Sequence, residues 1–124
     1  MLLLIVDDDR FVLDSLRLLL QLDGHKVVTA SSGAAGVAAL KAAWRQRETF
    51  AAVITDRFME PMDGAAFAAV VKRINASTRV ILLTGEADSI DLDGPRWTNV
   101  DHVLKKPLDL EALRGIFAHC AQSQ

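Results

Sequence analysis

Ala51-Ala52-Val53-Ile54-Thr55-Asp56-Arg57-Phe58-Met59-Glu60-Pro61-Met62-Asp63-Gly64 is the stretch whose reading decides the fold. A partly β-branched apolar run over 51–55 stops at an acid, Asp56, and a turn rich in Pro, Met, Asp and Gly follows. Continuous apolar runs of this length suit strands buried on both faces, as in a parallel sheet. Open α/β sheets carry their chemistry just past the C-terminal ends of such strands. Asp56 is therefore the first candidate for a working residue.

Upstream, Leu2–Val6 reads as the first strand, ended by Asp7-Asp8-Asp9. Asp9 is placed to cap a helix whose stripe is Val12, Leu16 and Leu19, and Asp23-Gly24 closes that helix with glycine in the left-handed position. Lys26–Ala30 is the second strand. An alanine-rich helix follows from Ala34 to Arg47, with Val37, Leu40 and Trp44 on the side that closes the core edge.

Downstream, Gly64 and Ala65 open a third helix through Phe67, Val70, Val71 and Ile74, with Asp63-Gly64 as its structural turn. Arg79–Leu83 is the fourth strand, ending at Thr84-Gly85. The 86–99 stretch carries Gly94-Pro95, which forbids a continuous helix and predicts a short or broken one. Val100–Leu104 is the fifth strand, followed by Lys105-Lys106-Pro107, and a last helix puts Leu110, Leu113, Phe117 and Cys120 on one face. Strand and helix alternate about five times, which calls for a parallel sheet covered on both faces through right-handed crossovers. The expected architecture is a three-layer α/β sandwich forming a single domain over 1–124.

The chain has 124 residues, a net charge of −2 and 51% apolar residues, an ordinary balance for a soluble domain with no general pull toward nucleic acid. Cys120 is the only cysteine, so an internal disulfide and a Cys-rich zinc site are both excluded. Met1–Val6 is too short to span a bilayer and lacks the basic flank of a signal peptide. A soluble cytoplasmic protein with no membrane partner is expected. His25, His102 and His119 match no ligand spacing and read as surface residues; Trp97 reads as either a plug or an exposed contact.

In a parallel sheet all the C-terminal strand ends lie on one edge. Asp7, Asp8 and Asp9, then Asp56, Thr84 and Lys106, should therefore converge. Each pair of ionised carboxylates about 5 Å apart costs about 3 kcal/mol at an effective dielectric near 20, and three such pairs threaten a domain of ordinary stability. A divalent cation compensates, and oxygen-only ligands suit Mg²⁺ better than Zn²⁺. With that cation and Lys106 in place, Asp56 reads as a carboxylate nucleophile toward phosphorus.

I-V-D-D-D at 5–9, T-D-R-F-M-E-P-M-D-G at 55–64, L-L-T-G at 82–85 and L-K-K-P at 104–107 together resemble the receiver domain of bacterial two-component response regulators. The resemblance covers nearly the whole chain. It implies a flavodoxin-like sheet of order 2-1-3-4-5, and phosphorylation of Asp56 by a histidine kinase or phosphotransfer protein. It implies that Asp8 ligates Mg²⁺ directly, Asp7 through water, and Phe58 through its carbonyl. Thr84 and Lys106 would hold the phosphoryl group, and the Lys106–Pro107 bond is expected to be cis. The implied output is a conformational change read by an effector domain or target protein, with no enzymatic turnover of other substrates and with homodimerisation left open.

Three positions depart from that family's pattern. Glu60 stands where proline is usual, with Pro61 one later; Val103 replaces the usual switch aromatic; and 86–99 is short or irregular where a fourth helix is usual. Phe58 and Glu86 occupy positions that tune dephosphorylation in similar domains. Two other functions compete. A pseudo-receiver would use the same fold only as a binding surface. A phosphohydrolase of the haloacid-dehalogenase type would need an acid two residues after its nucleophile, where this chain has Phe58.

Overall fold

Five strands, β1 (Leu2–Val6), β2 (Lys26–Ala30), β3 (Ala52–Asp56), β4 (Arg79–Thr84) and β5 (His102–Lys105), form one parallel sheet in the order β2-β1-β3-β4-β5. They belong to a computed structural model that describes residues 1–56, 62–85 and 97–122, with side chains as far as 118. Expectations for Phe58, Glu60, Pro61, Glu86, the helix over 86–96 and the side chains of His119 and Cys120 lie outside the described residues. The described helices are α1 (Arg10–Leu22), α2 (Gly33–Arg45), α3 (Gly64–Ile74) and α4 (Leu110–Gln122). None is long and apolar enough to cross a membrane.

Strand alternation sends side chains to opposite faces of the sheet. Leu3, Ile5, Ile54 and Ile81 pack with Leu13, Leu16 and Leu20 of α1 and with Leu113 and Phe117 of α4. On the other face Leu4, Val6, Val53 and Val80 pack with Leu40 of α2 and with Phe67 and Val71 of α3. This is the flavodoxin-like three-layer sandwich, built around a sheet that is apolar on both sides.

The helix ends follow from local chemistry. Asp9 caps α1 by accepting from the Phe11 and Val12 N–H groups, Ser32 caps α2 through Ala35, and Asp63 caps α3 through Ala66. Gly24 ends α1 at φ 90°, where a side chain would be strained. At Gly36 an added Cβ would meet the Phe67 ring at 2.9 Å and a Val6 methyl at 3.0 Å, so α2 approaches α3 and the sheet more closely than any larger residue permits.

Several expectations are corrected. β3 runs one residue further than expected because Asp56 still pairs with Leu83 in the ladder, and β4 likewise takes in Thr84. β5 begins two residues later than expected. The buried stripe of α1 is Leu13, Leu16 and Leu20, and Leu19 is exposed; the leucines at 18, 19, 20 and 22 admit more than one helical phase, and sheet packing selected this one. Trp44 is 58% exposed instead of closing the core edge, because Phe50 fills that edge with Ala39 and Ala43 beside it. His25 is half-buried, its ring 5.0 Å from that of Phe117, and His102 is half-buried on β5; neither is a free surface histidine.

Candidate functional site at the C-terminal sheet edge

Strand register brings the polar residues together. Val6 pairs with Thr55, so the next residues, Asp7 and Asp56, lie side by side at the ends of β1 and β3. Asp56 in turn pairs with Leu83, which sets Thr84 one step beyond it on β4. Thr84 pairs with Lys105, leaving Lys106 just past the end of β5. Its backbone N–H donates to the Thr84 carbonyl at 2.9 Å. The Lys106–Pro107 peptide is cis, as expected.

Asp7 is buried, 2% exposed, and doubly tethered. Its N–H donates to the Ala30 carbonyl at 3.1 Å, and its Oδ1 accepts from the Asp9 N–H at 2.8 Å. Asp8 is exposed and Asp56 half-buried; the three carboxylates each offer an oxygen within 4.8 Å of the others. Lys106 places its Nζ 3.4 Å from Asp56 Oδ1 and 3.6 Å from Asp7 Oδ2. Thr84, 2% exposed, ends β4 at the same edge, while Lys105 faces solvent.

The electrostatics are those of an under-compensated acid cluster. Burial raises the Asp7 carboxyl above its ordinary range, with Asp56 and Asp8 adding to the effect; the Asp9 N–H and Lys106 oppose it. Among the described residues, Lys106 is the ammonium group paired with this cluster, and it meets Asp7 and Asp56. An all-oxygen donor set with excess negative charge fits a hard divalent cation of the Mg²⁺ or Ca²⁺ kind and offers Zn²⁺ none of its preferred nitrogen or sulfur ligands.

One contributor was missed in the sequence. Asp9 reads there only as a helix cap, yet its backbone N–H also donates to Asp7 Oδ1, an Asx turn that the aspartate two residues before it could have signalled. Val103 also has a definite surrounding: it packs at the edge of a cluster of Ala65, Leu82 and Trp97. Trp97 is 7% exposed, so of its two readings the plug holds.

A family model described as response regulator receiver domain matches residues 3–118. The chain belongs to that family. It is 38% identical over 111 residues to the transcriptional regulatory protein GlrR of Escherichia coli K12, and equally so to QseF of Escherichia coli O157:H7. Each alignment covers 90% of this chain but 24% of the relative, so the chain spans about a quarter of those proteins' length. Among solved structures, a receiver domain protein from Clostridium thermocellum superposes with a TM-score of 0.83 at 27% identity, covering 98% of this chain and 94% of its own. The Thermotoga maritima regulator TrrA, solved with Mg²⁺ and BeF, shares the fold at a TM-score of 0.78 and 23% identity, over 96% and 97% of the two chains. This receiver domain thus has the topology and the acid rim expected from its four motifs.

Proposed function

We propose that this receiver domain, a single unit over residues 1–124, accepts a phosphoryl group on Asp56 from a phosphohistidine of a kinase or phosphotransfer protein. The observation that carries the reading is the convergence of Asp7, Asp8, Asp56 and Lys106 at one sheet edge. In the transfer, the donor's N–P bond breaks as an O–P bond to Asp56 forms; the electron pair leaves on the imidazole nitrogen, which takes up a proton.

Asp7, Asp8 and the Phe58 carbonyl, with Asp56 itself, are the proposed Mg²⁺ ligands. The bound ion would neutralise charge on the phosphoryl oxygens. Lys106 holds the acceptor carboxylate in place and meets the incoming charge, and the Thr84 hydroxyl donates to a phosphoryl oxygen. Asp9 keeps Asp7 oriented toward the rim. The donor protein has a surface to dock on: α1 starts at the rim and leaves Phe11, Leu18 and Leu22 exposed on one face. The output is a change of conformation controlling an effector domain or target protein in the cytoplasm, and the domain transforms no substrate other than its own phosphoryl group.

The test is incubation with acetyl phosphate and Mg²⁺, followed by electrophoresis in a phosphate-retarding gel. Wild type gives a retarded band that Asp56→Ala abolishes. If wild type gives none with acetyl phosphate or any histidine-phosphorylated donor, the phosphoacceptor reading fails and a pure binding module replaces it.

A further inference from the structure

The end of the domain opposite the acid rim carries a feature that phosphorylation does not use. Trp44, near the C-terminus of α2, stands in solvent between two shallow hollows of about 510 and 380 Å³. The first is lined by Trp44, Arg45, Arg47 and Thr49, the second by Trp44, Lys41, Arg45, Arg73 and Ile74, so α2 and the end of α3 share the corner. All four cations are exposed, and among the described residues none is in an ion pair. Glu48, the adjacent acid, lies 3.8 Å from Lys26.

Helix-end electrostatics account for part of this. Arg45 and Arg73 sit in last turns, where the helix dipole favours cations. That does not explain an exposed indole, nor the backbone of Arg47. The Arg47 N–H donates to the Trp44 carbonyl and the Glu48 N–H to the Ala43 carbonyl. These two bonds form a Schellman turn whose left-handed residue is ordinarily glycine. Here it is Arg47, at φ 60°. An arginine that lines the same hollow as Trp44 is thus kept at a conformational cost that glycine would avoid.

We propose that this corner docks an acidic segment of a partner protein, one carrying an apolar side chain to cover Trp44. Tryptophan and arginine are the residues most enriched among those that carry binding energy at protein interfaces. The hollows are shallow and open, unlike the enclosed clefts that hold small ligands. Four unpaired cations give charge complementarity to carboxylates. Nucleic acid fits less well, since the domain as a whole is net negative and the opposite rim is strongly acidic.

The probe is a fluorescein-labelled, glutamate-rich helical peptide of about 14 residues with leucines at i and i+4. Parallel arms use an oligothymidylate of similar length and phosphatidylcholine vesicles with about a quarter phosphatidylglycerol. The peptide is expected to bind the unphosphorylated domain with a dissociation constant on the order of 100 μM and to shift the Trp44 indole N–H resonance. Trp44→Ala, Arg45→Glu, Arg73→Glu and Arg47→Gly should each weaken it by about tenfold or more, with acetyl-phosphate labelling of Asp56 unchanged. The proposal is overturned if the Trp44 resonance stays fixed at millimolar peptide, or if these variants bind as wild type does. Tighter binding of oligothymidylate or vesicles than of the peptide overturns it too. Binding is read without phosphorylation, so failure here leaves the phosphoacceptor reading untouched.

Discussion

The two ends of the sheet are opposites in charge and in construction. At the C-terminal edge, three acids and a lysine are held by ladder register, with Asp7 buried and bonded on both its backbone and its side chain. At the other end, an indole and four cations sit on the surface of two helices and the turn after α2, where α2 packs on α3. The difference teaches where strain is tolerated. The rim concentrates unfavourable charge at strand ends fixed by the ladder, as the proposed phosphoacceptor role would need. The corner instead carries its strain in one backbone conformation, that of Arg47, beneath exposed side chains.

The contrast can be broken most sharply at Lys106. Lys106→Ala removes the only described cation paired with the rim acids, and phosphoryl labelling by acetyl phosphate should slow by about 100- to 1000-fold. Binding of the acidic peptide at the opposite corner should not change. Next comes the close seam of α2 against α3 and the sheet. Gly36→Ala drives a methyl into Phe67 and Val6 and should lower the unfolding free energy by about 1–3 kcal/mol, read from urea denaturation.

Arg47→Gly should do the reverse. Releasing the left-handed strain is expected to raise stability by roughly 1 kcal/mol and move the melting temperature upward. A lower melting temperature would mean that the Arg47 side chain stabilises the fold instead of serving a surface. The smallest effect is a pH slope at the rim. Asp7 has a folded-state pKa raised chiefly by burial, so its ionised form opposes folding; that opposition is full above the raised value and fades as pH falls toward the unfolded value near 3.9. Without divalent cations, Asp7→Asn should therefore stabilise the domain at neutral pH, with the gain shrinking on acidification. Added Mg²⁺ should raise the melting temperature of wild type more than that of the variant.

Much of the rim was legible because its residues are tied to strand ends. Asp7, Asp8, Asp56, Thr84 and Lys106 each follow an apolar run, and a parallel sheet aligns those ends whatever the loops between them do. The basic corner was not legible. Trp44 falls on the same helical stripe as Val37 and Leu40, and periodicity alone sends it inward; Phe50, past the end of the helix, takes the edge instead. Nor does any composition rule place arginine at φ 60°.

Local chemistry written in the chain was enough to set the order of strands and helices, the Asp9 cap and the edge of the sheet on which the acids gather. Alternation, capping and turn formation act between residues close in sequence, so one dimension suffices to read them. Which phase of the leucine-rich α1 turned inward, and that Trp44 meets solvent beside Arg73, were settled only in three dimensions. Each depends on competition for the same space between segments far apart in the chain, and close packing lets only one contender have it.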